Sequence, residues 1–182
     1  MDFNELAIDG VFSIQLKPLG DARGWFARTF CKDIFAEHGL NGDWQQMNHS
    51  FTAQKGTIRG MHFQYPPHQE IKMVRCIAGA VYDVIIDLRE GSPTFLQYVG
   101  LELSAANTKM IYIPKGFAHG FQTISENAEL VYQHSAEYNP KAEGGIRFDD
   151  PAVGIVWPLP VADTSEKDKQ HLYIDKAIFK GI

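Results

Sequence analysis

Arg59-Gly60-Met61-His62-Phe63-Gln64 is followed by Lys72 and then by Val81-Tyr82-Asp83-Val84. These runs place a guanidinium, an imidazole and an amine on successive strand-like segments. An imidazole with an unperturbed pKa near 6.5 is a general base at neutral pH. A neighbouring ammonium can hold the negative charge that appears when a proton leaves carbon beside a carbonyl. The planar donor fork of Arg59 suits phosphate oxygens. One strand pair could therefore carry a base, an enolate stabiliser and a phosphate anchor. Strict alternation puts Arg59 and His62 on opposite faces. The intervening Gly60 is read as a β-bulge that re-aims one of them.

The elements that must position these groups are short. Ile71–Ile77, Ala80–Leu88, Phe95–Leu103, Met110–Ile113, Phe121–Ile124 and Glu129–Gln133 read as strands. They are separated by Ala78-Gly79, Arg89-Glu90-Gly91-Ser92-Pro93, Ser104–Asn107 and Pro114-Lys115-Gly116. Turn signals this regular between about residues 57 and 150 predict an all-β sandwich or barrel. Within Ala80–Leu88, Val81, Asp83 and Ile85 share one face and Tyr82, Val84 and Ile86 the other. Tyr132 and His134 point the same way. Lys32–His38, closed by Gly39, is the one helix expected before the tail, and the tail from Asp163 to Ile182 is expected to pack as short helices.

The chain of 182 residues suits one domain with a core of its own, 1–182. It is 45% hydrophobic and 21% charged, as a globular protein is, and no apolar run approaches the roughly 20 residues of a membrane helix. Met1-Asp2-Phe3-Asn4-Glu5 lacks a basic n-region and an apolar h-region, so no secretory leader is expected. Cys31 and Cys76 are too few for a disulfide scaffold and lack zinc-ligand spacing. The expected location is the cytoplasm, with both thiols reduced. A net charge of −5 argues against nucleic acid as a partner, though not against a phosphorylated small molecule held by a local cluster. Arg23, Arg28, Arg59, Lys72 and Arg75 are candidates for that cluster.

With these runs joined by Ser92-Pro93-Thr94, Ile113–Phe121 and the stretch from Asp150-Pro151 to Trp157-Pro158, the chain resembles the dTDP-4-dehydrorhamnose 3,5-epimerases over about residues 10–170. The resemblance implies a cupin-like jelly roll, a homodimer that exchanges N-terminal strands, and a nucleotide-diphosphate 4-keto-6-deoxy sugar as substrate, with no metal or other cofactor. It implies epimerisation at C3, C5 or both. His62 would be the base and Asp168 its partner, Lys72 the enolate stabiliser, and Tyr132 the acid on the opposite face. A phenol with a pKa near 10 stays protonated at neutral pH and suits that role. The resemblance also implies that Arg59 binds the diphosphate, that Arg23 and Phe26 reach the nucleotide from the partner subunit, and that Tyr138 stacks on the base. Arg28, Gln46, Asn48 and His119 complete the expected substrate contacts, His119 in a supporting role.

Two departures from the family pattern stand out. Arg23-Gly24-Trp25-Phe26-Ala27-Arg28 ends in a donor where well-known members have a glutamate. Cytosine presents an acceptor where thymine presents N3–H, so a cytidine-linked sugar is the alternative substrate. Glu70, two before Lys72, stands where those members usually place glutamine. Each candidate also has a plainer reading: His62 as a hydrogen-bonded structural histidine, Lys72 as a solvated strand lysine, Tyr132 as a core aromatic, and Asp168 as the N3 member of a capping box begun by Ser165. From another class, His62, His68, Glu70 and His119 could form a three-histidine, one-carboxylate metal site. Gln64 stands where a metal cupin usually has its second histidine, and Pro66-Pro67 interrupts the chain before His68. A catalytically silent sugar-nucleotide binder is the third reading.

Overall fold

The computed structural model describes residues 1–182. Fourteen strands and two short helices follow one another along the chain. They are β1 (Asp2–Glu5), β2 (Phe12–Gln15), β3 (Leu19–Asp21), β4 (Gly24–Phe26), α1 (Lys32–Glu37), β5 (Gln46–Thr52), β6 (Thr57–Gln64) and β7 (Lys72–Ala78). Then come β8 (Ala80–Asp87), β9 (Tyr98–Ser104), β10 (Lys109–Ile113), β11 (Phe117–Thr123), β12 (Ala128–His134), β13 (Glu143–Gly145), β14 (Asp163–Thr164) and α2 (Glu166–Lys169). One sheet runs β1-β2-β10-β7-β12-β5 and the other β13-β6-β11-β8-β9, with β14 parallel to β6. β3 and β4 form a separate two-stranded ribbon. This is the all-β architecture expected from the regular turn signals, in the cupin-like form that the resemblance implies.

Gly79 switches the chain from one sheet to the other. Its φ is +66°, and a Cβ there would meet Ser125 Oγ at 2.5 Å and Ala128 Cα at 3.0 Å. Only glycine takes both that backbone and that contact without strain. The β8 alternation is as read: Val81 and Ile85 join Val74, Cys76, Ile111, Ile113, Phe117, Phe121 and Leu130 in the core between the sheets. Val84 and Ile86 face outward, against Met61, Leu96 and Ile146 and the partly buried Ile174, Phe179 and Ile182 of the tail. A third cluster on the outer face of the first sheet packs Ile14, Met73, Met110 and Tyr112 against Phe35 of α1. Both faces of the central strands are thus covered, which is why β7 and β8 are near-continuous apolar runs.

The strand pairing has one feature that decides the site. In β11–β6, His119 pairs with His62 and Phe121 with Arg59, so two steps on β11 match three on β6. That is the bulge expected at Gly60. The two strands also touch there, backbone to backbone. A Cβ on Gly60, whose φ is +116°, would lie 2.7 Å from Gly120 Cα, and one on Gly120 would lie 2.6 Å from the Arg59 carbonyl oxygen.

The tail differs from the expectation of short helices. Only Glu166–Lys169 is helical; Asp163–Thr164 adds a short parallel strand to β6, and the remainder is irregular. Ile174, Ala177, Ile178 and Ile182 do recur at helical spacing, but the segment that carries them is not helical. Ile174, Phe179 and Ile182 serve as separate plugs while Leu172 and Ile178 are exposed, and the Ile182 N–H is tied to the Leu88 carbonyl at 2.8 Å. β11 begins at Phe117, four residues earlier than read, because the run through Gly120 is strand rather than loop.

Candidate active site

A cleft of about 470 Å³ opens between the two sheets, within the size range of small-molecule sites. β5, β7 and β12 supply Asn48, Ser50, Lys72, Tyr132 and His134 to one wall. β6 and β11 supply Arg59, His62 and His119 to the other, and α2 adds Lys167 and Asp168. The bulge explains how Arg59 and His62 reach the same cleft despite their spacing of three.

His62 Nε2 lies 2.7 Å from Asp168 Oδ1, and the Gly60 N–H donates to Asp168 Oδ2 at 3.2 Å. The Asp168 side chain is 4% exposed while that of His62 is 37% exposed. Burial pushes the Asp168 carboxyl up, but the His62 bond and charge and the Gly60 N–H outweigh it and hold the group below its ordinary range. An ionised carboxylate only accepts, so Nε2 carries the proton and Nδ1 is the basic nitrogen. Asp168 also occupies the N3 position of α2, and its N–H donates to the Ser165 capping oxygen at 3.1 Å. Capping and imidazole pairing therefore coexist: the cap uses the backbone of Asp168 and leaves its carboxylate to His62.

On the facing wall the Tyr132 hydroxyl and Ser50 Oγ are 2.9 Å apart. Burial pushes the phenol up to about 12, against the lowering effect of the Ser50 bond. It stays a proton donor throughout the neutral range. Lys72 Nζ lies 3.0 Å from Glu70 Oε1, both side chains being 10% exposed. The other Glu70 oxygen is 2.9 Å from His134 Nδ1. Burial pushes Glu70 up, yet the His134 bond and the Lys72 charge hold it below the usual carboxylate range. His119 is buried and bonds Asp83 at 2.9 and 3.0 Å.

The remaining candidates sit at the rim or apart. Arg59 is steadied by Thr52 Oγ1, to which its Nε donates at 2.9 Å, and by the Phe51 carbonyl. Gln46, Asn48 and Tyr138 line an adjoining pocket that shares His62, Lys72 and His134 with the main cleft. Gln46 Oε1 accepts from the Tyr138 N–H at 3.0 Å, and the Tyr138 hydroxyl donates to Glu143 Oε2 at 2.7 Å. Glu143 also holds Lys167. Arg23 and Phe26 lie on the β3–β4 ribbon, outside the cleft lining of this one chain, and Arg23 pairs with Asp21. Arg28, on which the cytidine alternative rests, is exposed and lines neither pocket.

The rival metal set does not converge. His62 goes to Asp168, His119 to Asp83, Glu70 to Lys72 and His134, and His68 to the Asn139 amide. Pro66-Pro67 and the turn after them carry His68 outward, as the broken strand implied. The group whose donor atoms do come within 4.8 Å of one another is His62, Asp168 and His171, and two of these already bond each other. Sequence reasoning missed Ser50, Glu143 and Lys167 altogether. It used Asp83 and His134 only as markers of strand faces. Alternation from Tyr132 to His134 was the signal that could have placed the latter in the site.

A cupin-like jelly roll whose cleft holds an imidazole–carboxylate pair, an ammonium and a protonated phenol defines a class, the cupin-like epimerases. A family model described as dTDP-4-dehydrorhamnose 3,5-epimerase matches residues 5–176, and the chain belongs to that family. It is 42% identical over 174 residues to the dTDP-4-dehydrorhamnose 3,5-epimerase of Salmonella typhimurium, covering 94% of each chain. It superposes with a TM-score of 0.91 on an epimerase of Legionella pneumophila Philadelphia 1, solved in complex with dTDP-4-keto-L-rhamnose. That match is 37% identical and covers 100% of this chain and 98% of the other. A 4-keto-6-deoxy sugar epimerase from the novobiocin cluster of Streptomyces spheroides also gives 0.91, at 37% identity over 95% and 87% of the two chains.

Proposed function

We propose that this chain epimerises a dTDP-linked 4-keto-6-deoxy hexose at C3 and C5 by proton transfer at the carbons flanking the ketone. The observation that carries the reading is the placement of His62 and Tyr132 on opposite walls of one cleft, with Lys72 on the tyrosine's wall, across from His134. Nδ1 of His62 takes the proton from one face of the sugar ring. Lys72 meets the oxygen of the enolate that results. Tyr132 returns a proton from the other face, which inverts the carbon. Because the ketone acidifies both neighbouring carbons, the same three groups serve each in turn.

Proton NMR of the chelator-treated protein in D₂O with dTDP-4-keto-6-deoxyglucose tests this. The C3 and C5 signals are both expected to disappear; loss of one alone would reduce the reading to a single carbon, and retention of both would end it. Tyr132→Phe is expected to keep at least a tenth of the solvent exchange at carbon while lowering net inversion by about 10²-fold, the usual worth of a positioned acid. Exchange and inversion both at the wild-type rate would move the acid elsewhere.

The ribbon supports a quaternary reading. Leu19, Trp25 and Phe26 are 75%, 56% and 68% exposed, an apolar patch on a ribbon that joins neither main sheet, and Met47 and Phe51 are exposed along edge strand β5. Such patches are ordinarily covered by a partner. We place the ribbon of one protomer against a second copy, where it brings Arg23 and Phe26 to the partner's cleft. Leu19→Glu with Trp25→Glu is expected to give a monomer by sedimentation and to raise KM by about tenfold or more; a variant that remains a dimer with wild-type KM would refute this. The two cysteines are unpaired, which fits a reducing compartment, and we place the enzyme in the cytoplasm. No helix is long and apolar enough to cross a membrane.

A further inference from the structure

Glu70 is neither the base nor the acid, yet it touches the enolate-stabilising lysine and a neighbour of the acid. One carboxylate oxygen is 3.0 Å from Lys72 Nζ and the other 2.9 Å from His134 Nδ1. All three side chains are 10% exposed. The His134 ring stacks on Tyr132, with centroids 6.1 Å apart and planes at 24°. Its second nitrogen is 3.3 Å from the Asn48 amide, which can present either an oxygen or an NH₂ and so accommodates a charged or a neutral ring.

This arrangement raises an electrostatic difficulty. An ammonium is useful to an enolate only if its charge is not already spent. A buried carboxylate in contact with Lys72 offsets that charge at the point where negative charge must develop, in surroundings that screen poorly. Two cations around the one anion would leave a net positive charge facing the cleft. We propose that His134, as an imidazolium bound to Glu70, is the compensating cation that keeps Lys72 available to the enolate, so that Glu70 and His134 act as one charge-balanced positioning pair. The proposal rests on the epimerase reading above. It accounts for a histidine two residues from the acid and for a carboxylate two residues from the lysine by a single requirement.

The pair has a signature that a purely structural contact lacks. His134→Asn keeps an N–H donor near Glu70 but removes the charge. It is expected to lower the saturated rate of deuterium exchange 10- to 100-fold with KM within about threefold of wild type. Glu70→Gln introduced into that variant removes the uncompensated anion and is expected to restore exchange to within about threefold of wild type. A His134→Asn protein that exchanges at the wild-type rate would overturn the proposal. So would a double variant as slow as, or slower than, the single one, since independent structural defects accumulate rather than cancel. Circular dichroism melts of all variants separate misfolding from lost charge, and the double variant decides the matter should the single one melt early. Absence of exchange in the wild type would instead remove the epimerase reading itself.

Discussion

His62→Ala is expected to slow exchange of the sugar's α-protons with solvent by about 10³-fold or more, in a protein that keeps its fold and its affinity for the nucleotide. The size follows from the role proposed for the residue: a positioned base contributes about 10²–10⁴-fold, and the other titratable groups lining the cleft are engaged elsewhere. Asp168 is committed by its own surroundings to remain an anion, but it is buried behind the imidazole rather than in front of it. Tyr132 is held protonated on the other wall. His119 is buried against Asp83. Some stability should be lost, because the buried Asp168 carboxylate gives up its His62 partner and keeps the Gly60 N–H, so a thermal melt accompanies the assay. The measurement is the disappearance of the C3 and C5 proton signals in D₂O, with dTDP binding by calorimetry as the control. Exchange at the wild-type rate in a folded His62→Ala protein would show that another group is the base.

Asp87→Ala should cost about 3–5 kcal/mol of stability at pH 7, the usual result of stripping one partner from a buried charged network. Asp87 is fully buried at the end of β8. Its carboxylate accepts from the Arg89 N–H at 2.9 Å, from Arg89 Nε and Nη2 at 2.9 and 2.8 Å, and from Ser92 Oγ and Thr94 Oγ1 at 2.6 Å each. This is the physical content of the Ser92-Pro93-Thr94 run, whose hydroxyls and preceding arginine wrap one acid and thereby fix the turn into β9. Burial raises the carboxyl, but these bonds outweigh it and bring it to about 2. A folded-state value below the unfolded one stabilises the fold above about pH 4, and that contribution fades as pH falls through 2. The gap of about two units corresponds to roughly 2.5 kcal/mol. The gap between wild type and Asp87→Ala in urea unfolding should therefore narrow by about that amount between pH 7 and pH 2. A gap independent of pH would mean that packing, not charge, holds this turn.

The part of the chain legible beforehand was the part where burial imposes a period. β7, β8, β10 and β12 lie in the middle of sheets, and their apolar runs and closing turns marked them within a residue or two. β3 and β4 carried no such pattern because their apolar residues face no core in this chain. In β11 the Phe117–Gly120 stretch was passed over, since a glycine followed by Phe-Ala-His-Gly reads as a turn until the neighbouring strand supplies the reason for the second glycine. The candidate site divides in the same way. His62 and Lys72 are legible from residue type and spacing, whereas Tyr132 and Asp168 come from the family resemblance. Ser50, Glu143 and Lys167, and the Glu70–His134 contact across 64 positions, are pairings of distant residues, and linear spacing carries no trace of them. Only the Gly60 bulge was recovered from spacing alone, because two groups wanted in one cleft stood an odd number of residues apart.

The contact between Gly60 and Gly120 brings two strands closer than any other residue type would permit. It acts as a datum for the whole catalytic layout, because His62 lies two positions beyond one glycine and His119 one position before the other. Neither glycine needs to meet the sugar for its replacement to displace both imidazoles at once. A mutational survey scored on turnover would rank these two positions with the proton-transferring groups, although their contribution is a distance and not a functional group.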